Sequence, residues 1–565
     1  MNKHIWHRSA ISVAMALALA ACGGGGGSSS TDDSSSTDDS VYSLTISSSA
    51  NSADSRMTCN QGADVAACDL RMYQIMVEAF VNGDDSINYN TGYGPSEHKG
   101  DLQGIIDSLD YIAGTGVNAI WLTPIFNSCK GETSDAKLEA TGYFACDYFT
   151  VDPMFGDSAK LKELVDAAHD KGLYVFLDGV FGHASGIGIT MDNVPSSLSG
   201  LAEPATLTSS SSTCTVSSTQ TCFDYDSSDT LAFFKAVAAY YVTEYGIDGW
   251  RLDQAYQVPV SDLEAIRGAV ETAAAARAAD GEEWGTLGYM VGEVWSGQDY
   301  IASNGYGTSS APGLLSNFDF PMHYGLMQAV GSETSASSNS DASALYASWN
   351  DGSVYPDFAI PNLFIGNHDI PRLGDLLQRT GRGDVDEDEY WLRHKAVFSF
   401  MAATSGPMTV YYGDEIGDQL DGFSTQVSSS TCASQGLCDD HVSRTDGRVL
   451  GVTEDSLTTN ETSLKAYVKS LMDLRDDHPA LAQGSLTRIS DDDNVFVSRK
   501  DNGSDQILYL LNTQGTDAVV TLSTTALGDD GTLDNLLDSS DSLSASDGNY
   551  TITVPAYSGV FYQIN

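Results

Sequence analysis

The stretch IDGWRLD, residues 247–253, has the length of a buried strand and ends on a carboxylate. Arg251 and Asp253 stand two residues apart, so in a strand they point to the same side. Working outward, Ala232–Tyr245 before it and Asp262–Ala279 after it carry helical spacing, and a second strand-like run follows at Tyr289–Trp295. The same rhythm extends in both directions. Strands are predicted within Met72–Phe80, Val117–Phe126, Leu173–Phe181, Leu314–Phe320, Ile360–Gly366 and Met408–Tyr412. Between them lie helical patterns such as Leu102-Ile105-Ile106-Leu109-Ile112 and Leu161-Leu164-Val165-Ala168. Eight strands alternating with helices predict an α/β chain folded as a (β/α)8 TIM barrel. An open doubly wound sheet is the alternative; the count of eight and the polar strand ends favour the barrel.

In such a barrel the C-terminal strand ends gather at one mouth. The third strand runs into DGVFGH (178–183), the fourth is GWRLD (249–253), the fifth ends in GEVW (292–295) and the seventh in FIGNHD (364–369). They bring together Asp178, Asp253, Glu293 and Asp369 with His183, His368 and Arg251. Singly, each has an ordinary reading: a strand-end Asp often caps the next helix, and a lone His is commonly structural. Together they suit glycoside hydrolysis, in which one carboxylate attacks the anomeric carbon while a second, about 5–5.5 Å away, protonates the leaving oxygen. Arg251 is expected to hold the Asp253 pKa low, and like charge with partial burial to raise that of Glu293.

These four motifs, in this order, resemble the signature regions of glycoside hydrolase family 13, the α-amylase family, and PMTVYYGDEIG (407–417) is similar to its eighth strand. The resemblance runs from about Met72 to the C-terminus and leans towards the neopullulanase/cyclomaltodextrinase-like or periplasmic α-amylase branches. It implies Asp253 as nucleophile, Glu293 as general acid/base and Asp369 as transition-state stabiliser, with Asp178, His183, Arg251 and His368 binding the sugar. It implies that Tyr143, in GYFACDYFTVDP (142–153), stacks on that sugar. The implied reaction is retaining hydrolysis of α-1,4-glucosidic bonds in starch or maltodextrins. A transglycosylase shares every one of these residues; a non-catalytic glycan-binding lipoprotein on the same scaffold is a further reading, although such scaffolds lose the nucleophile or acid and Asp253, Glu293 and Asp369 are all present. The chain departs from common α-amylases at Gly182 (usually Asn, a calcium ligand in many of them), at Tyr256 and Gln257 (often Lys and His) and at Thr141 (usually His). The common calcium site between barrel and insertion is therefore not expected. A different Ca²⁺ site is suggested by Asn82, Asp84, Asn88 and Asp101, close-spaced oxygen donors resembling a calcium loop of the neopullulanase branch, although Ile87 stands where a donor belongs. The competing reading is a polar turn with a helix cap at Asp101. No organic cofactor is implied.

The rest of the chain frames this barrel. Residues 1–22 carry Lys3, Arg8 and a short apolar run ending Leu-Ala-Ala-Cys22, which resembles a lipoprotein signal peptide with Cys22 lipidated. An ordinary signal peptide with an incidental cysteine is the alternative. Residues 23–65, rich in Gly, Ser and Asp, are expected to be a flexible linker. The barrel is assigned to 66–480 with an insertion at 184–228, and a C-terminal β-sandwich to 484–565. The protein is expected to be exported and to meet a membrane only through its lipid; Gly23 after Cys22 resembles outer-membrane sorting. Setting Cys22 aside, eight of the nine cysteines fall into local couples, predicting the disulfides Cys59–Cys68, Cys129–Cys146, Cys214–Cys222 and Cys432–Cys438. With 77 acidic against 27 basic residues, the net charge of −50 argues against nucleic acid and anionic partners. A neutral α-glucan is compatible with it.

Overall fold

The computed structural model describes residues 41–48, 53–54, 59, 65–132, 135–331, 341–351, 354–420, 439 and 441–565. Eight parallel strands close into a barrel: β1 (Arg71–Ile75), β2 (Ala119–Leu122), β3 (Tyr174–Gly179), β4 (Gly249–Leu252), β5 (Tyr289–Gly292), β6 (Ser316–Phe318), β7 (Ile360–Phe364) and β8 (Met408–Tyr411). Seven lie inside the stretch predicted for them, and β1 begins one residue before Met72–Phe80. β8 pairs back onto β1, with Met408 opposite Arg71 and Tyr411 opposite Gln74, which closes the ring.

Helices cover the outside. They include α1 (Leu102–Ala113), α2 (Ser158–Asp170), α3 (Ser228–Tyr245), α4 (Val260–Ala279), α5 (Asp388–Ala403) and α6 (Thr459–Asp477). Their apolar stripes turn inward: Leu161, Leu164, Val165 and Ala168 of α2 are all buried. β4 shows how strand alternation serves both sides. Trp250 points outward and its indole N–H donates to the Ala238 carbonyl of α3 at 3.1 Å. Arg251 points inward, with its neighbours Trp250 and Leu252 in the outer core.

Gly249 opens β4 at φ +155°, where a Cβ would lie 1.8 Å from the Tyr289 carbonyl oxygen. Only glycine lets β4 and β5 approach there, and that approach aligns the two strand ends.

After α6 the chain builds two antiparallel-rich sheets around a second core that includes Val495, Val497, Leu508, Leu510, Val520 and Ile552. The flexible linker expected over 23–65 is corrected in its second half. Tyr42–Ile46 is a strand running parallel to Ala518–Ser523, with Tyr42 opposite Ala518 and Ile46 opposite Leu522. Ala53–Asp54 pairs with the strand Ser485–Arg488. The physical reason is period-two patterning: Tyr42, Leu44 and Ile46 turn toward the core while Ser43 and Thr45 stay exposed. Residues 1–22, with Cys22, and 23–40 lie outside the described residues.

Three of the four expected disulfides are formed: Cys59–Cys68, Cys129–Cys146 and Cys214–Cys222. The Cys432–Cys438 couple lies outside the described residues. Where the insertion begins, His183–Ser185 pairs antiparallel with Gln220–Cys222.

Candidate active site

Arg251 is the hub of the barrel mouth. Its Nη1 donates to both oxygens of Asp178 at 2.8 Å and to Asp253 Oδ1 at 3.1 Å, and its Nη2 meets Glu293 Oε2 at 3.0 Å. The guanidinium also lies over the Trp121 ring, 5.0 Å from its centroid. Thus β3, β4 and β5 each deliver one carboxylate to a single buried cation. Backbone bonds lock the strand ends in step: Glu293 N donates to Leu252 O at 2.9 Å, and Ala255 N to Glu293 O at 2.8 Å.

One cation shared among three carboxylates does not hold them all ionised. Burial pushes the Asp253 pKa up to about 6, with Arg251 opposing and Asp178 and Asp369 reinforcing. The expectation that Arg251 holds Asp253 low is corrected: its charge is divided, and desolvation outweighs its share. Burial likewise lifts Glu293 to about 7, against the pull of Arg251 and with Asp253 and Asp369 adding to it. The Asp253 charge adds to the rise at Glu293, so the two carboxyls titrate as a pair.

Asp178 is engaged by protein groups. It is fully buried, and besides Arg251 it accepts from Tyr143 Oη at 2.9 Å and Trp121 Nε1 at 3.3 Å. Its four hydrogen bonds make it the counter-ion that seats Arg251. Tyr143 stacks on His368, with ring centroids 5.3 Å apart and planes 6° from parallel. His368 Nδ1 pairs with the Gln74 amide at 2.7 Å, and its Nε2 lies 3.5 Å from Asp369 Oδ2. His183 Nε2 lies 3.9 Å from Asp253 Oδ2. The predicted residues of β3, β4, β5 and β7 therefore converge.

Two residues were not read from the sequence. Arg444, from the loop after β8, donates to Asp369 Oδ1 at 2.9 Å and to the His368 carbonyl at 2.8 Å. Only its place after a barrel strand could have flagged it. Gln254 follows Asp253 in a left-handed conformation, φ 41° and ψ 50°, which is strained for a residue other than glycine. Its N–H donates to Glu293 Oε2 at 2.9 Å, and its side-chain amide reaches Asp253 Oδ2 at 3.3 Å. It touches both paired carboxylates at once.

The stretch considered for calcium is engaged locally. Asp101 caps α1: its Oδ1 accepts from Gly104 N at 2.8 Å, and its Oδ2 from Gly83 N and Asp84 N, both at 2.9 Å. Asn82 donates to Asp85 at 2.7 Å, Asp84 accepts from Ser86 N at 2.9 Å, and Asn88 accepts from the Asn90 amide. These bonds tie the loop to the start of α1.

The arrangement can pass a proton from a protonated carboxyl to an oxygen beside a second, ionised carboxyl. Comparisons with known proteins agree with that chemistry. The family model "Alpha amylase, catalytic domain" matches residues 74–196 and 214–478. A cyclomaltodextrinase of Geobacillus thermopakistaniensis is 28% identical over 525 residues, covering 88% of this chain and 77% of the relative. A maltogenic α-amylase of Bacillus acidopullulyticus is 26% identical over 474 residues, covering 79% and 69%. Among solved structures, AmyP in complex with maltose is 44% identical with a TM-score of 0.80, covering 91% of this chain and 99% of that one. A complex of AmyP with maltotriose has a TM-score of 0.81 at 44% identity, covering 90% and 99%. From barrel, site and family match together, the chain belongs to the α-amylase family of glycoside hydrolases, family 13.

Proposed function

We propose that the chain is a retaining α-glucan hydrolase that cleaves α-1,4-glucosidic bonds of starch or maltodextrins by double displacement. Asp253 attacks the anomeric carbon, and the bond to the departing sugar breaks as Glu293 gives its proton to the leaving oxygen. Water then attacks the glycosyl-enzyme ester; Glu293 takes the water's proton and Asp253 departs as a carboxylate. Asp369, held by Arg444 and beside His368, stabilises the cationic sugar in both transition states. Tyr143, His183, Arg251 and His368 surround the sugar at the cleavage point. The observation that carries the proposal is the Arg251-centred cluster, which gathers Asp253 and Glu293 on one guanidinium and raises both of their pKa values through burial. The substrate class follows from relatives named for cyclomaltodextrin and maltose chemistry and from AmyP complexes with maltose and maltotriose.

Glu293→Gln is expected to lower starch hydrolysis by about 10²–10⁴-fold. It should spare glycosyl-enzyme formation from a glycosyl fluoride, whose leaving group needs no proton. Asp253→Asn should abolish turnover of both. Near-wild-type starch hydrolysis in either variant would overturn the assignment. The leader supports export with a lipid on Cys22, and Cys22→Ser should move the enzyme from the membrane fraction to the soluble one. Retention of that variant on membranes would remove the lipid anchor from the proposal.

A further inference from the structure

Beside the carboxylate cluster runs a chain of neutral amides. Ala255–Gln257 is one turn of 3-10 helix, which eclipses residues three apart and so sets the Gln257 side chain against that of Gln254. Gln257 Nε2 donates to Gln254 Oε1 at 3.1 Å and to the Thr213 carbonyl at 3.2 Å. Gln257 Oε1 meets His183 Nδ1 at 2.8 Å. Gln254 Oε1 also accepts from Tyr256 Oη at 2.8 Å, while its Nε2 faces Asp253 Oδ2 at 3.3 Å.

Both ends of this chain fix its direction. The Asp253 carboxylate and the Thr213 carbonyl are acceptors only, so each must meet an amide N–H. That turns Gln254 Oε1 toward Gln257 Nε2, and Gln257 Oε1 toward His183. The His183 nitrogen facing Gln257 is therefore the one that bears a proton. One amide thus sets the tautomer and ring orientation of His183, supports Gln254 against Asp253, and fastens both to the residue preceding Cys214 of the Cys214–Cys222 disulfide.

Position 182 makes room for this amide. A Cβ on Gly182 would lie 2.2 Å from Gln257 Oε1 and 2.4 Å from Gln257 Cβ. A ligand-bearing side chain at 182, as in calcium-dependent α-amylases, and the Gln257 amide as placed here exclude one another. The amide oxygens at this junction already accept from His183, Tyr256 and Gln257, and among the described residues the nucleophile Asp253 is the only carboxylate they touch. A set with its oxygens so engaged does not fit a resident Ca²⁺.

Resting on the hydrolase reading above, we propose that Gln257 is a positioning residue: a neutral amide clasp that couples the disulfide-closed insertion to His183 and Asp253, at the junction where the family's calcium would sit.

The test measures kcat, KM and the pH profile on 4-nitrophenyl maltooligosaccharides for wild type, Gln257→Ala and Gln257→Glu, with and without prior dialysis against EDTA. Gln257→Ala should lower kcat by about 10–100-fold with a small change in KM, the scale expected when a catalytic group is misplaced by about 1 Å. Gln257→Glu keeps the size but sets a carboxylate against the Thr213 carbonyl and Gln254 Oε1. It should not restore kcat and should displace a limb of the pH profile. EDTA should leave wild-type activity within about two-fold. Removing the disulfide by Cys214→Ser with Cys222→Ser should lower kcat in wild type and add little in Gln257→Ala, since both cut the same connection. Wild-type kcat and pH profile in Gln257→Ala, or disulfide and Gln257 effects that simply multiply, would overturn the clasp. So would loss of wild-type activity to EDTA that calcium restores. Should Gln257→Ala fold poorly, as read by circular dichroism, Gln257→Glu and the disulfide variant decide the matter. Glu293→Gln is the control: its inactivity beside an unaffected Gln257→Ala rejects the clasp alone, whereas an active Glu293→Gln rejects the hydrolase assignment.

Discussion

Arg251 Nη2 lies 3.0 Å from Glu293 Oε2, yet Glu293 retains a pKa raised to about 7. The ion pair and the raised pKa coexist because burial outweighs the pull of Arg251, with Asp253 and Asp369 adding to it; the same guanidinium also serves Asp178 and Asp253. The productive enzyme has Asp253 ionised and Glu293 protonated. With Asp253 near 6 and Glu293 near 7, that form is most populated between those values. The pH profile of kcat/KM on a maltooligosaccharide should be a narrow bell, rising through about 6 and falling through about 7, the two limbs belonging to the pair. A plateau extending to pH 9 would show that Glu293 is not the proton donor.

The same shifts predict a stability effect of opposite sign to that of most ion pairs. A carboxyl whose folded pKa is raised binds more protons in the native state than in the unfolded one. It therefore costs stability as pH rises through its unfolded and then its folded pKa. For Asp253 that window runs from 3.8 to about 6. Asp253→Asn should accordingly raise the melting temperature at pH 8, by a stabilisation on the order of 1–3 kcal/mol. At pH 4 the gain should largely vanish. Thermal melts at the two pH values check this, and equal shifts at both would contradict it.

Arg251 is buried among carboxylates on three strands, and a lysine cannot reproduce its fork. Arg251→Lys should lose the simultaneous contacts to Asp178, Asp253 and Glu293, lowering kcat/KM by at least about 10²-fold. Arg251→Met should add a stability loss of about 3–5 kcal/mol at pH 8, because it leaves the carboxylates without their cation. That loss should shrink on acidification as they protonate. Denaturant titrations of Arg251→Met at pH 8 and pH 5 measure the difference.

The barrel was legible because its signals are local. Each strand is a short apolar run, and alternation alone put Arg251 and Asp253 on one side while sending Trp250 to α3. The order of strand-end motifs singles out Asp253, Glu293, Asp369, His183 and His368. What could not be read depends on contacts distant in sequence. Arg444 reaches Asp369 across 75 residues, and nothing in the loop after β8 announces that partner. The division of one charge among three carboxylates is a property of their shared burial. Asp178 carries the same strand-end signature as Asp253, and only the packing of Trp121 and Tyr143 around it shows that it seats Arg251.

The N-terminal strand was readable in principle, since VYSLTI alternates polar and apolar residues, but the Ser- and Asp-rich segment before it masks the pattern. Its register on Ala518–Ser523 makes it part of the C-terminal sheet, and Tyr42 Oη donates to Asp492 Oδ2 at 2.6 Å. Removing residues 23–40 should leave thermal stability unchanged, because the pairing begins at Tyr42. Removing residues 23–47 should uncover the edge of Ala518–Ser523 and the apolar surface beneath Leu44 and Ile46. That surface is worth roughly 1.5–3 kcal/mol per fully buried side chain as an upper bound. The longer deletion should therefore lower the melting temperature by several degrees, and the newly exposed strand edge should promote association. Differential scanning calorimetry and light scattering on the two deletions separate a tether from a structural strand; identical melting temperatures would make the whole segment a tether.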